Sequence, residues 1–177
     1  MDIVEEKVSK ASILPVHSYV YIWGSHLGKT FPKRPLSKGE ADVAVDVALI
    51  KEEVAELLKA VDQDDHNAIC DGIGDALWVI SQLGMNYGFN INDINRAVFQ
   101  SNMSKICKTE EEAIQTVNAY RDGLHPDKLG QFIDTYYEKI KDDSFVVKRY
   151  SDGKVLKSIN FRNPDFNFML RRKYDGD

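Results

Sequence analysis

The sequence predicts a mainly α-helical protein: a four-helix bundle, completed by dimerisation, followed by a small C-terminal antiparallel β meander. Three observations predict it. Apolar residues recur at alternating steps of four and three through two long segments, residues 40–62 and 65–87. Two such helices supply only half of a four-helix core, so a homodimer or homotetramer is expected to complete it. After Cys107 the pattern gives way to short runs rich in β-branched and aromatic residues.

Taken in order, residues 4–26 are expected to form a first helix, although SYVYIW is rich in strand formers. Phe31-Pro32-Lys33-Arg34-Pro35 is a loop, because proline and the residue before it resist helix. In the second helix, 40–62, Val43, Val47, Ile50, Val54, Leu57 and Val61 form the expected core stripe. In the third, 65–87, Ile69, Ile73, Ala76, Ile80 and Leu83 face inward; Asp64-Asp65-His66-Asn67 supplies its start and Gly88 ends it. A fourth helix runs over 91–106 with Asn90 as its cap. Thr109-Glu110-Glu111-Glu112 is a capping box for a fifth over 110–121. TYYEKI, SFVVKRY and GKVLKSI then read as three strands separated by Lys141-Asp142-Asp143 and Ser151-Asp152-Gly153. The tail from Arg162 is expected to dock through Phe166, Phe168 and Leu170. The change of character divides the chain into an all-α domain, 1–106, and an appendage, 107–177.

Bulk properties narrow the function. At 177 residues the chain buries a sizeable core, and its 43% hydrophobic and 29% charged residues exclude bulk disorder. A net charge of −5 argues against a general nucleic-acid or membrane-surface binder. Cys70 and Cys107 make no metal motif or disulfide framework; Cys70 is expected to pack as a small hydrophobe. MDIVEEKVSK has no signal-peptide pattern and no run could span a bilayer, which points to the cytoplasm.

Chemistry is concentrated on the two long helices. Glu52-Glu53-x-x-Glu56 lies in one sector of the second helix, with Glu53 and Glu56 about 4.5 Å apart along the axis. Asp71 and Asp75 stand one turn apart on the third. If these helices pack antiparallel, the carboxylates converge, and like charges repel unless cations fill the cluster. Hard oxygen ligands of this kind suit Mg²⁺ or Mn²⁺. The other reading is a plain solvated face. Val45, Leu49 and Ala60 beside the glutamates, and Trp78 and Gln82 on the face of Asp71 and Asp75, are not what a plain solvated face carries. Trp78 reads equally as a base-stacking wall and as a dimer contact. Gly72 and Gly74, costly inside a helix, read best as tight packing against the second helix.

Gly24-Ser25-His26-Leu27-Gly28-Lys29-Thr30 is one residue short of a phosphate-binding P-loop, and Pro32 and Pro35 deny it the following helix. Lys29, Lys33 and Arg34 remain candidate triphosphate contacts beside the reading of a solvated basic loop. The four histidines show no ligand spacing.

Glu52-Glu53-x-x-Glu56 followed by Asp71-x-x-x-Asp75 resembles the all-α nucleoside triphosphate pyrophosphohydrolases, the MazG-like and phosphoribosyl-ATP pyrophosphohydrolase-like group. The resemblance continues in Ser101-Asn102-Met103-Ser104-Lys105 and in Asp152-Gly153-Lys154-Val155-Leu156-Lys157-Ser158 with Pro164 and Asp165. It covers most of residues 40–106 and 150–165. The group's second motif is Glu-x-x-Asp; here Gly72 stands at the glutamate position and Asp71 precedes it. The resemblance implies Mg²⁺- or Mn²⁺-dependent hydrolysis of a nucleoside triphosphate to the monophosphate and pyrophosphate. On that reading Glu53, Glu56 and Asp75 are metal ligands, and Glu52 or Asp71 completes the shell or acts as general base. Trp78, Asn102, Lys105, Lys154 and Lys157 are candidate substrate contacts. Two other readings stand beside it: hydrolysis of phosphoribosyl-ATP, and a non-catalytic helical-bundle interaction protein.

Overall fold

The computed structural model describes residues 16–37, 39–126 and 134–167. They are mainly helical: α1 (Val16–His26), α2 (Ala44–Asp62), α3 (His66–Asn86), α4 (Ile91–Met103) and α5 (Glu110–Arg121), then β1 (Thr135–Lys139) and β2 (Phe145–Arg149). The described residues divide into two compact units, one up to Ile94 with Asn167, the other Asn95–Phe166.

In the first unit α1 and α2 both pack on α3. The strand-forming residues of SYVYIW are helical: Val20 and Gly24 are buried, and that packing overrides local propensity. Residues 4–15 of the expected first helix lie outside the described residues. Turn chemistry fixes the helix ends. The Asp65 carboxylate accepts from the Asn67 and Ala68 amides, both at 3.1 Å. Asn90 caps α4 through the Asn92 and Asp93 amides. Gly88, at φ +74°, closes α3, and a side chain there would collide with the Arg34 carbonyl. Helix α2 starts at Ala44 rather than near 40, because the Glu40 carboxylate is taken by Arg34 and by the Ser37 amide and hydroxyl. Those partners hold Glu40 down to about 2.

The face of α2 that meets α3 differs from the expected stripe. Val47, Val54 and Val61 are exposed, as are Ile73 and Ile80 on α3, while Asp46, Ala60, Gly72 and Ala76 are buried. The two helices meet along a narrower and more polar seam, because one partner helix covers one side of a broad apolar band. Gly72 fits the reading of close packing: a Cβ there would lie 3.0 Å from the Leu57 Cβ. Gly74 has open space around it. Cys70 is exposed; the buried cysteine is Cys107.

The second unit has its own core, Cys107, Ala113, Tyr120, Phe145, Val147 and Leu156. Thr109 caps α5 through the Glu112 amide, while the Glu112 carboxylate accepts from the Lys108 amide. Strands β1 and β2 pair antiparallel with Tyr137 opposite Val147. The expected third strand is reduced to a bridge between Lys148 and Val155, with the Leu156 amide donating to the Val147 carbonyl. Phe166 is 37% exposed, so it does not dock deeply. Phe168 and Leu170 lie outside the described residues.

Candidate active site

The antiparallel register of α2 and α3 creates the site. The buried Asp46 carboxylate accepts from Gln82 Nε2 at 2.7 Å and Asn86 Nδ2 at 2.6 Å. Two helical turns are close to seven residues, so Glu53 follows Asp46 on the same stripe and Asp75 precedes Gln82 on the facing one. The Asp46 pairing therefore sets Glu53 opposite Asp75. Further along, Leu57 opposes Gly72 in nearly the same register.

Glu53 is half-buried, whereas Glu52, Glu56, Asp71 and Asp75 are exposed. Its carboxyl is pushed above the ordinary range, first by partial burial, then by the charges of Asp75, Glu56, Glu52 and Asp71. The other four predicted acids thus lie near enough to raise Glu53. Among the described residues none of the five forms an ion pair, so Lys51 and Lys59 do not neutralise them. No three acidic, histidine or cysteine side chains among the described residues stand close enough to grip one ion as they lie. The donor set nevertheless fits a hard divalent cation: it is all carboxylate, it lacks a paired base, and four of its members are exposed and can change rotamer.

Trp78 is half-buried, and Gln82, expected beside it on an outer face, turns to Asp46. Asp46 and Asn86 had not been singled out. The signal was present in the spacing, since Asp46 is seven residues from Glu53 and Gln82 seven from Asp75.

The second unit joins the remaining motifs. The Ser158 hydroxyl donates to the Ser104 carbonyl at 2.9 Å, and the Ser104 hydroxyl accepts from the Arg162 amide at 2.9 Å. A cavity of about 980 Å³ lies between these segments, with Ser101, Lys108, Glu112, Arg162 and Asp165 in its walls. Lys105 Nζ donates to Asn102 Oδ1 at 2.8 Å. Lys157 Nζ lies 4.1 Å from the Phe161 ring centre. Lys154 is exposed; its amide donates to Asp152, whose carboxylate is held down to about 2 by Arg149 and by that amide. The residues between Lys154 and Lys157 do not form a regular strand.

Comparison with known proteins places the acidic helices in a family context. Residues 45–113 match the model of the MazG nucleotide pyrophosphohydrolase domain, the group the sequence resembles. Over 94 residues, 53% of this chain, it is 30% identical to an uncharacterized protein of Acanthamoeba polyphaga mimivirus. The matched stretch spans 36% of that relative's length.

Proposed function

We propose that this protein hydrolyses a nucleoside triphosphate to the monophosphate and pyrophosphate, using Mg²⁺ or Mn²⁺, and so acts on the nucleotide pool. One observation carries the reading. Four carboxylates, Glu52, Glu56, Asp71 and Asp75, bear on a fifth, Glu53, with no basic partner among the described residues, within the segment that matches the pyrophosphohydrolase domain.

Glu53, Glu56 and Asp75 are the residues that would hold the cation. When bound, it would neutralise triphosphate charge and make a water more acidic. Glu52 or Asp71 accepts the proton of the attacking water. The water oxygen bonds to phosphorus, the bond bridging the α- and β-phosphates breaks, and charge grows on the departing pyrophosphate. Asp46 holds Gln82 and Asn86 and thereby the register that sets Glu53 opposite Asp75. Trp78 offers an aromatic face for a base. By the resemblance, Lys105, beside Asn102, and Lys154 and Lys157 are candidate phosphate contacts.

Exposed apolar side chains favour a homodimer. Leu58 is 60% exposed and Leu77 52%, beside Val54, Val61, Ile73 and Ile80 on the same two helices. A second copy packing there would complete a four-helix core. Light scattering at micromolar concentration tests this, and a strict monomer contradicts it.

The functional test is a panel of canonical and modified nucleoside triphosphates, phosphoribosyl-ATP among them, with Mg²⁺, Mn²⁺ or chelator. Release of pyrophosphate rather than phosphate, abolished by chelator and restored by metal, is expected. Full turnover in chelator removes the mechanism.

A further inference from the structure

We infer that the first unit carries a second ligand site, a pocket for an aromatic heterocycle bearing a phosphate, of which a nucleoside monophosphate is the simplest example. A cavity of about 450 Å³ lies between α1, the loop after it and the end of α3. Its walls include His17, Tyr21, Phe31 and Phe89, with Lys29 and Lys33 lining the same space.

The aromatic walls are held in place. The Tyr21 and Phe31 ring centres are 5.8 Å apart, tilted by 37°. Phe31 occupies the space that Gly24 leaves, since a Cβ there would come within 2.6 Å of the ring. Phe89 stacks on Tyr87 at 5.5 Å and 11°. A flat ring entering such a cavity gains stacking area on surfaces already ordered.

The polar groups define what else the ligand carries. His17 Nδ1 is buried and has no hydrogen-bond partner among the described residues. Its Nε2 lies 3.5 Å from Asn92 Nδ2. His17 therefore lines the pocket with its ring, and the polar recognition of the ligand falls to the lysines. Lys29 and Lys33 are exposed, and neither pairs with an acid among the described residues. They supply the charge that a phosphate needs. Met85, also in the wall, is ten residues beyond Asp75 on α3, about 15 Å along the axis. The pocket is therefore apart from the carboxylate cluster and needs no metal.

Titration calorimetry of the full chain in chelator tests the inference, with AMP, CMP, adenosine and inorganic phosphate as the probes. At least one monophosphate is expected to bind, at least tenfold more tightly than adenosine or phosphate alone. The double change Lys29→Ala with Lys33→Ala should weaken it at least tenfold. Glu53→Gln should leave the affinity within about twofold. The inference is overturned if neither monophosphate binds, if phosphate alone binds as tightly, or if binding survives the double lysine change. Chelator silences hydrolysis, so this result stands or falls separately from the pyrophosphohydrolase reading.

Discussion

The two units treat their polar groups in opposite ways. Among the described residues of the second, Tyr120, Thr116, His125 and Ser158 all find partners within the unit. Tyr120 Oη donates to the Lys157 carbonyl at 3.1 Å and accepts from the Lys157 amide at 3.2 Å. Thr116 Oγ1 donates to the Glu112 carbonyl and accepts from the Ile159 amide. His125 stacks on Tyr120 at 4.3 Å and reaches the Lys157 carbonyl through Nε2. Among the described residues of the first unit, five acids crowd together without a base, His17 Nδ1 has no partner, and several valines and Leu58 of α2 stand exposed. Buried polar groups fix a structure when all are satisfied and are costly when they are not. The second unit thus satisfies its buried polar groups with its own residues, and on the proposed function cations, a ligand and a second copy would complete the first.

The largest expected effect breaks this contrast at its charged point. Glu53→Gln or Glu56→Gln should lower turnover by about 100-fold or more, the scale of losing one group that stabilises transition-state charge. Far-UV circular dichroism should show the helices intact. Parental turnover from both variants would return the acids to a solvated face.

A change of the opposite kind sharpens the second unit. Tyr120→Phe keeps the ring but leaves the part-buried Lys157 amide without the hydroxyl, and the Lys157 carbonyl with His125 alone of these two partners. The cost should be about 1–3 kcal/mol in a denaturant titration. A loss below about 0.5 kcal/mol would show that the network is not what holds the unit together.

The same contrast explains what could be read from the sequence. Helix ends were legible, because Asp65, Asn90, Gly88 and Thr109 act on backbone groups one to four residues away. The nearness of the other four acids to Glu53 was legible from helical spacing. The orientation of α2 was not. Its apolar band is wide enough to offer two faces, and the choice depends on Asp46 meeting Gln82 and Asn86 nearly forty residues away in sequence. The helical state of SYVYIW and the loss of a third strand follow from tertiary packing that overrides local propensity. The roles of Asn102, Lys105, Lys154 and Lys157 rest on resemblance, since no local physics separates a phosphate-binding lysine from a solvated one.

Lys154→Ala addresses that last point. Lys154 is exposed; its amide makes the hydrogen bond to Asp152 and its charge adds only the smallest contribution there, so melting should shift by about 0.5 kcal/mol or less. Lys157→Ala also removes the contact with Phe161, worth about 0.5–1 kcal/mol at an exposed site. If the segment binds phosphate, at least one variant lowers kcat/KM several-fold, about 1 kcal/mol of transition-state stabilisation. Parental kcat/KM in both leaves the segment as scaffold.

The smallest effect is a matter of sign and isolates the crowded acids without relying on turnover. The folded state raises the Glu53 carboxyl above its ordinary value, through partial burial and then through Asp75, Glu56, Glu52 and Asp71. The folded protein therefore holds this proton more tightly than the unfolded chain does. Stability falls with rising pH wherever the native state binds more protons. The contribution of Glu53 is thus fully present below the ordinary glutamate value, about 4.3, and is lost as pH rises through the raised one. Glutamine cannot titrate. In chelator, Glu53→Gln should melt above the parent at neutral pH, and the gap should close as pH falls to about 4. Glu40 and Asp152, each held at about 2 by an arginine, act with the opposite sign, but they are common to both proteins and cancel in the difference. Added Mg²⁺ or Mn²⁺ should reverse the order, because a cation that binds only the folded parent stabilises it by mass action. A gap independent of pH, or a parent that is the more stable protein at neutral pH in chelator, would show that Glu53 is a structural partner and not one of a repelling cluster.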